Sequence, residues 1–240
     1  MIDFKNINIM VGIAALFSSV SINSYGAKVK EVSKVEKDRK YKLESQTKTY
    51  TIFTPLKDLI PENLKGYKEY DEYAHSLMMS NSSGVFLTND VGNNFVIRMI
   101  PHHESSIVES IGVLKYTKNE KVKQIAQRVI EAGKKEVELM QNLLATGELK
   151  GNENTEYAKK MQRMDMNILK KIEFYTGMNN DFEAITTHYL KSMISHFELG
   201  MEMAKKYLKY AKNEELIKVA HRIILSQEEE LKELKILLNE

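Results

Sequence analysis

An internal duplication is the feature that most constrains the fold of this 240-residue chain. The stretch MIPHH at residues 99–103 returns as MISHF at residues 193–197, which is a shift of 94 positions. The same shift holds without a gap over repeats 95–144 and 189–238. In each repeat, apolar residues recur near helical spacing on both sides of a short polar turn. Each repeat is therefore predicted to be a helical hairpin.

Two amphipathic hairpins with short turns are most simply packed as a four-helix bundle. The predicted helices cover about 94–116, 119–145, 181–212 and 213–240. Asn119 is a predicted N-cap, and Thr146-Gly147 is a predicted stop signal. Pro101 falls inside the first helix and predicts either a kink or the start of a new helix. The fold class expected is all-α, with a ferritin-like arrangement of the four helices.

Composition narrows the possible functions. Lys and Arg number 35 against 33 acidic residues, and a net charge of +2 does not favour a nucleic-acid partner. The chain contains no cysteine, so disulfides, thiolate metal sites and a cysteine nucleophile are excluded. The charged fraction of 28% is typical of a soluble globular protein.

The first ninety residues lie outside the duplication. Residues 1–26 resemble a signal peptide, with an apolar run followed by the small residues Ser24 and Gly26. The run is short for a membrane span, so we expect cleavage near Gly26, no stable membrane insertion afterwards, and a periplasmic or secreted protein. Residues 27–92 are predicted to be an irregular extension, with a short strand or extended arm at 47–53 and a weakly helical stretch at 55–80. Residues 93–240 form the predicted bundle.

Histidine, methionine and glutamate side chains in the repeats form a candidate metal site. Met99, His102 and His103 are spaced so that they share one helix face. Antiparallel pairing about the first turn places Glu136 level with His102, and Met140 level with Met99. Imidazoles and thioethers suit a soft transition metal. The full candidate set is Met99, His102, His103, Glu136, Met140, Met193, His196 and Glu230.

These residues resemble the family called domain of unknown function 305, a ferritin-like helical family of mostly exported bacterial proteins. Its pattern is an aromatic residue, then Met-Ile-x-His-His, then on the next helix Gln-x-x-Glu and a methionine four residues further on. Phe95, residues 99–103, Glu136 and Met140 match it in the first repeat. Several members are associated with copper binding and copper tolerance, so the resemblance implies copper as the ion.

The second repeat departs from that pattern. Phe197 replaces the second histidine, and Leu234 replaces the methionine; in the first repeat, Gly133 stands where the family has glutamine. We therefore expect one site in each hairpin, with the tighter site in the first.

Other polar residues are weaker candidates. Glu72 and His75 have a carboxylate–imidazole spacing but are interpreted as a solvated helix face. His188 lies two turns before His196, and His221 is expected on the surface. Met161, Met164 and Met166 form either a thioether cluster suited to Cu(I) or ordinary core packing.

The leading hypothesis is an exported metal-binding protein that sequesters copper, or another transition metal, without catalysing a reaction. A ferritin-like metal-dependent oxidase is the enzymatic alternative, but the repeated hairpins lack the Glu-x-x-His motif of such sites. A helical interaction module without metal is the third hypothesis. The metal ion is the expected partner, and the formation of a homo-oligomer stays open.

Overall fold

The structure is a computed structural model. It describes residues 41–44, 48–51, 56–84, 90–147, 149, 152–168, 174–177 and 181–239. The predicted signal peptide, residues 1–26, lies outside the described residues. The chain divides into two compact units, Met1–Glu62 and Asn63–Glu240.

The first unit contains a short antiparallel hairpin. Strand β1 (Tyr41–Glu44) pairs with strand β2 (Lys48–Thr51), with Tyr41 opposite Thr51. The alternating β-branched and aromatic residues before Phe53 predict β2, and the structure confirms a strand there. The segment that contains β1 was expected to be without regular structure, because four residues are too few to show a period. A 3₁₀ turn follows at Leu56–Asp58.

The second unit is all-α, as the repeat predicts. In the part of the chain that the structure describes, it holds helices α1 (Tyr67–Gly84), α2 (Val91–Tyr116), α3 (Glu120–Thr146), α4 (Thr155–Ile168), α5 (Phe182–Leu208) and α6 (Glu214–Asn239). The hairpins α2–α3 and α5–α6 are the two repeats. The ferritin-like arrangement stays a prediction. No helix within the described residues is both long and apolar enough to cross a bilayer.

Capping residues set the helix boundaries. Asp90 accepts a hydrogen bond from the Asn93 amide at the start of α2. The Asn119 side chain accepts from the first-turn amides of α3, so the predicted N-cap is confirmed. Gly147 ends α3 with φ at 73°, a left-handed conformation that glycine adopts without strain. Pro101 lies inside a single helix α2, so no new helix starts there.

Helix α2 is the centre of the second unit, because it packs on α1, α3 and α5. The two repeats meet chiefly through α2 and α5, with a smaller contact between α3 and α6. Helix α1 is part of this core: Tyr67 and Tyr70 are fully buried, and a Cβ added to Gly112 would lie 2.7 Å from the Tyr70 Cβ. The unit thus begins at Asn63, well before residue 93, and the repeat did not indicate this because α1 has no second copy.

Helix α2 buries polar side chains along with apolar ones. Phe95, Ile100 and Ile107 are buried as their spacing predicts, and so are His102 and Glu109. Buried polar groups are costly unless they find partners. The partners of these groups define two clusters along the α2–α5 contact.

Candidate metal-binding sites

A pair of stacked histidines joins the two repeats. The ring centroids of His102 on α2 and His196 on α5 are 3.7 Å apart, with 30° between the ring planes. His102 Nε2 lies 3.0 Å from the His196 carbonyl oxygen, and His196 Nε2 lies 2.8 Å from the His102 carbonyl oxygen. The two residues occupy the same position in the two repeats. Their reciprocal hydrogen bonds therefore mark an approximate two-fold axis between the hairpins.

The same hydrogen bonds fix the protonation of both rings. A carbonyl only accepts, so each Nε2 carries the proton and each Nδ1 carries a lone pair. Burial, together with the neighbouring imidazoles, holds the pKa of His102 well below its usual range. Burial lowers the pKa of His196 to about 3, despite its hydrogen bond to His102. His102 Nδ1 is buried and has no hydrogen-bond partner.

His103 points from α2 toward the other helix of its own hairpin. Its Nδ1 donates to the Met99 carbonyl over 2.9 Å, and its Nε2 lies 2.6 Å from Glu136 Oε2 on α3. Glu136 was predicted to stand level with His102, so the predicted partner is wrong by one residue. One residue along a helix turns a side chain by about 100°, which is enough to change its partner. We call His102, His103, Glu136 and His196 the axial cluster.

The second repeat has a different environment at the matching positions. Phe197 stands where the first repeat has His103, so no imidazole is available there to Glu230. Burial raises the pKa of Glu230 to about 7, although Arg128 lowers it; Arg128 Nε lies 3.9 Å away. The second repeat therefore lacks the imidazole that contacts the glutamate in the first repeat, and its own glutamate, Glu230, lies near an arginine instead.

The predicted methionines are all core residues. Met99, Met140 and Met193 are fully buried, and Met193 belongs to an apolar cluster with Phe197 and Leu234. By sequence spacing, Met99 and Met193 lie one turn before His102 and His196. The expectation of one metal site per hairpin stays a prediction, but His102 and His196 contact each other across the axis. The histidines of the two hairpins thus lie in one place.

Gly200 on α5 lies directly against the axial cluster. A Cβ at this position would lie 2.8 Å from His102 Cε1 and 2.6 Å from Gln227 Oε1. Gln227 Oε1 is itself buried without a hydrogen-bond partner. The absent side chain therefore lets α5 approach the His102 ring closely.

A second polar cluster lies between three helices. Asp71 on α1, Glu109 on α2 and His188 on α5 each bring one nitrogen or oxygen atom to within 4.8 Å of the other two. His188 Nε2 lies 2.9 Å from Asp71 Oδ1. Asp71 is 0% exposed and Glu109 is 1% exposed. We call Asp71, Glu109 and His188 the acidic cluster.

Neighbouring donors support both carboxylates. The Tyr175 amide donates to Asp71 Oδ2 over 2.8 Å, and Ser192 Oγ donates to Glu109 Oε2 over 2.9 Å. His75 Nδ1 lies 3.3 Å from Asp71 Oδ1 and 2.8 Å from the Asp71 carbonyl oxygen. These contacts give each carboxylate a defined orientation.

The two carboxylates have opposite pKa shifts. Burial opposes ionisation of Asp71, but hydrogen bonds from His188 and His75 outweigh it and lower its pKa to about 2. Burial and the nearby Asp71 charge raise the pKa of Glu109 to about 7. The hydrogen bond to Asp71 outweighs burial at His75 and raises its pKa. Asp71 is thus a buried anion. Burial and the charge of Asp71 together favour the protonated, neutral form of Glu109.

The sequence interpretation missed the acidic cluster. His75 was assigned to a solvated face with Glu72, but it is 6% exposed and its partner is Asp71. A usable signal was present, since Tyr67, Asp71 and His75 follow one another at i, i+4 and share a face with buried apolar residues. His188 contacts Asp71 and not His196.

The remaining weak candidates stay outside both clusters. His221 is exposed on α6, as expected. Met161 and Met164 are buried on α4, and the Met166 side chain lies outside the described residues.

Comparisons with known proteins identify the family. No curated protein matches the sequence. A crystal structure of a secreted DUF305 protein from Streptomyces coelicolor is similar at 19% identity and a TM-score of 0.47, over 64% of this chain and 93% of that chain. Residues 92–238 match the family described as a domain of unknown function (DUF305). Since this match covers more than half of the sequence and includes both repeats, the chain belongs to the DUF305 family.

Proposed function

We propose that the protein is exported and binds a transition-metal ion, copper foremost, as cargo at the axial cluster. The observation that carries the proposal is the buried lone pair of His102 Nδ1, which has no hydrogen-bond partner and lies in a ring stacked on His196. Imidazole nitrogen binds copper well in either oxidation state. The ion is held and passed on, and no reaction is assigned to it.

The orientation of the two axial histidines suits metal ligation. A ligating histidine usually donates its other ring N–H to a carbonyl or a carboxylate, which fixes the ring and its tautomer. His102 and His196 make this bond through Nε2, and Nδ1 is left as the donor to a metal. Both rings are neutral at neutral pH, which is the form that binds metal.

The surroundings of the pair favour a soft ion. By helical spacing, Met99 and Met193 lie on the same faces as the two histidines, one turn earlier. Thioethers select Cu(I) over harder cations. Glu136, 2.6 Å from His103 Nε2, places a carboxyl group in the same cluster. Neutral nitrogen and sulfur donors with one carboxylate suit a monovalent or divalent copper ion.

A Cu(I) competition titration against a chromogenic chelator, performed without oxygen, tests the proposal. We expect one tightly bound Cu(I) per chain. His102→Ala and His196→Ala should each weaken it more than about 100-fold, since loss of a direct ligand costs at least as much as loss of its supporting partner. His221→Ala removes an exposed histidine from α6 and is the matched control.

Two results would contradict this assignment. One is a wild-type protein that binds Cu(I) no more tightly than the His102→Ala variant does, with both proteins equally helical by circular dichroism. The other is an equal loss of affinity in His221→Ala, which would indicate adventitious binding to any histidine.

Export depends on residues 1–26, which precede the described part of the chain. We expect the protein recovered outside the cytoplasm to begin at Ala27. Mass spectrometry of the exported protein measures this directly. A protein retained inside the cell with Met1 intact would contradict export without affecting the metal-binding proposal.

A further inference from the structure

We infer that Asp71, Glu109 and His188 form a second metal site, for a borderline divalent cation such as Zn²⁺. This site is separate from the axial cluster and does not depend on the proposed function. Glu109 lies seven residues beyond His102 on α2, which is about 10 Å along the helix at 1.5 Å per residue. One ion therefore cannot be shared between the two clusters.

The geometry of the three ligand atoms is close to that of a bound site. They come from three different helices and lie within 4.8 Å of one another. Around a tetrahedral zinc ion, with ligand distances of about 2.1 Å, neighbouring ligand atoms are roughly 3.4 Å apart. A movement of about an ångström or less by buried side chains would close the set around an ion. The Asp71–His188 hydrogen bond would be replaced by two bonds to the metal.

The charge of the cluster favours a cation. Two carboxylates are buried side by side, and burying a charge is costly unless it is paired. The Asp71 and Glu109 oxygens lie within 4.8 Å of each other, beside one nitrogen of His188. A bound dication would balance both carboxylates in their charged form.

The groups behind the ligands would hold them in place. Asp71 Oδ2 accepts from the Tyr175 amide, and Asp71 Oδ1, which is bonded to His188 in the metal-free cluster, is the oxygen that would turn to an ion. Glu109 Oε2 accepts from Ser192, and the ring of His188 packs edge-on against Tyr175 at a centroid distance of 5.3 Å. Supporting contacts of this kind are typical of metal ligands.

The donor set separates this site from the axial cluster. Two carboxylate oxygens and one imidazole nitrogen are ligands that zinc takes in proteins, with a fourth position left for water. The second repeat cannot build an equivalent, because Met203 stands at the position of Glu109. In the same way, the first repeat has Asn94 at the position of His188. The two repeats, as far as the structure describes them, therefore offer one such site.

A Zn²⁺ titration of the full mature chain, in competition with a chromogenic chelator, tests the inference. We expect one Zn²⁺ per chain. Glu109→Met installs the residue of the other repeat, and Asp71→Asn keeps the shape of the side chain; each should weaken Zn²⁺ binding more than about 100-fold. Glu72→Gln changes the neighbouring carboxylate, which is half exposed, and should leave the affinity unchanged.

A buried hydrogen-bond network without metal is the competing explanation. It predicts that the wild type binds Zn²⁺ no more tightly than Glu109→Met does, and this result would overturn the inference. Loss of Zn²⁺ binding in His102→Ala would also overturn it, because the ion would then belong to the axial cluster. If Asp71→Asn does not fold, Glu109→Met and the visible absorption of bound Co²⁺ decide the question. The inference requires that the wild-type Co²⁺ bands disappear in Glu109→Met.

Discussion

The axial cluster and the acidic cluster lie along the same contact between α2 and α5, yet they originate differently. The axial cluster is centred on positions that match in the two repeats, since His102 pairs with His196 and Glu136 corresponds to Glu230. The acidic cluster is made from residues that break the repeat. Glu109 and His188 each have a different residue in the other copy, and Asp71 lies on α1, which has no copy.

The two clusters also differ in the charge state of their buried groups. Burial keeps the axial histidines neutral, with the pKa of His196 lowered to about 3. In the acidic cluster, Asp71 is a buried anion whose pKa is lowered by two imidazoles, once the opposing effect of burial is overcome. Matching positions of the two repeats thus form the nitrogen-rich cluster, and positions that differ between them form the oxygen-rich one.

The largest effect is expected from removing the central carboxylate of the acidic cluster. Asp71→Leu leaves His188 and the Tyr175 amide without their carboxylate acceptor, while His75 keeps only the backbone carbonyl of residue 71. Breaking a buried charged pair on one side costs about 3–5 kcal/mol, so the free energy of unfolding of the metal-free protein should fall by that amount. Urea unfolding measures it. In the control, Glu72→Gln, the free energy of unfolding should stay within about 0.5 kcal/mol of the wild type. An equal loss in the control would show that the acidic cluster contributes no more to stability than an exposed carboxylate does.

A smaller effect is expected from the pH dependence of the metal-free protein. His196 has a pKa of about 3 when folded, against about 6.5 for free histidine, so the unfolded chain binds a proton in this range that the native chain does not. The contribution of His196 to stability therefore falls as pH drops below about 6.5, by about 2 kcal/mol at pH 5.

His75, which contacts Asp71 of the acidic cluster, should contribute the opposite dependence of stability on pH. The raised pKa of His75 gives a stabilisation that is fully present below about 6.5 and is lost as pH rises through the folded pKa. Relative to the wild type, we expect His196→Gln to increase the free energy of unfolding at pH 5 compared with pH 7, and His75→Gln to decrease it. Urea unfolding at a series of pH values checks both variants, and identical slopes would contradict the assigned protonation states.

The smallest effect is expected from filling the space beside the axial cluster. A Cβ in Gly200→Ala would lie within 3 Å of both the His102 ring and the flexible end of Gln227, so both contacts must be relieved. Because Gln227 can move easily, we expect the low end of the usual cost of overpacking, about 1 kcal/mol. Copper affinity should fall in the same variant, while Zn²⁺ affinity stays unchanged. Ser195→Ala, exposed on the same helix, is the control for both titrations, and a loss of Zn²⁺ binding in Gly200→Ala would contradict the separation of the clusters.

Local rules predicted much of the fold. Apolar spacing and the repeat gave the two hairpins, and side-chain chemistry gave the Asn119 cap and the Gly147 stop. Helix α1 was recognised only as a weakly helical stretch because its polar residues, Asp71 and His75 among them, are buried. A buried polar residue looks like a surface residue in sequence until its partner is known.

The candidate site was predictable only within one hairpin. A short turn fixes which residues are level across α2 and α3, so the approach of Glu136 to the histidines could be foreseen to within one residue. The contact between His102 and His196 depends on how the two hairpins dock, and spacing along the chain does not determine that. For the same reason, the meeting of Asp71, Glu109 and His188 from three helices could not be inferred from their positions in the sequence.

The most direct test of two chemically different sites is anomalous diffraction from crystals of the mature protein equilibrated with both Cu(I) and Zn²⁺. Data collected at the two absorption edges locate each element independently. We expect a copper peak beside His102 Nδ1 and a zinc peak between Asp71, Glu109 and His188. Both elements in one cluster, or no peak in either cluster, would contradict the account.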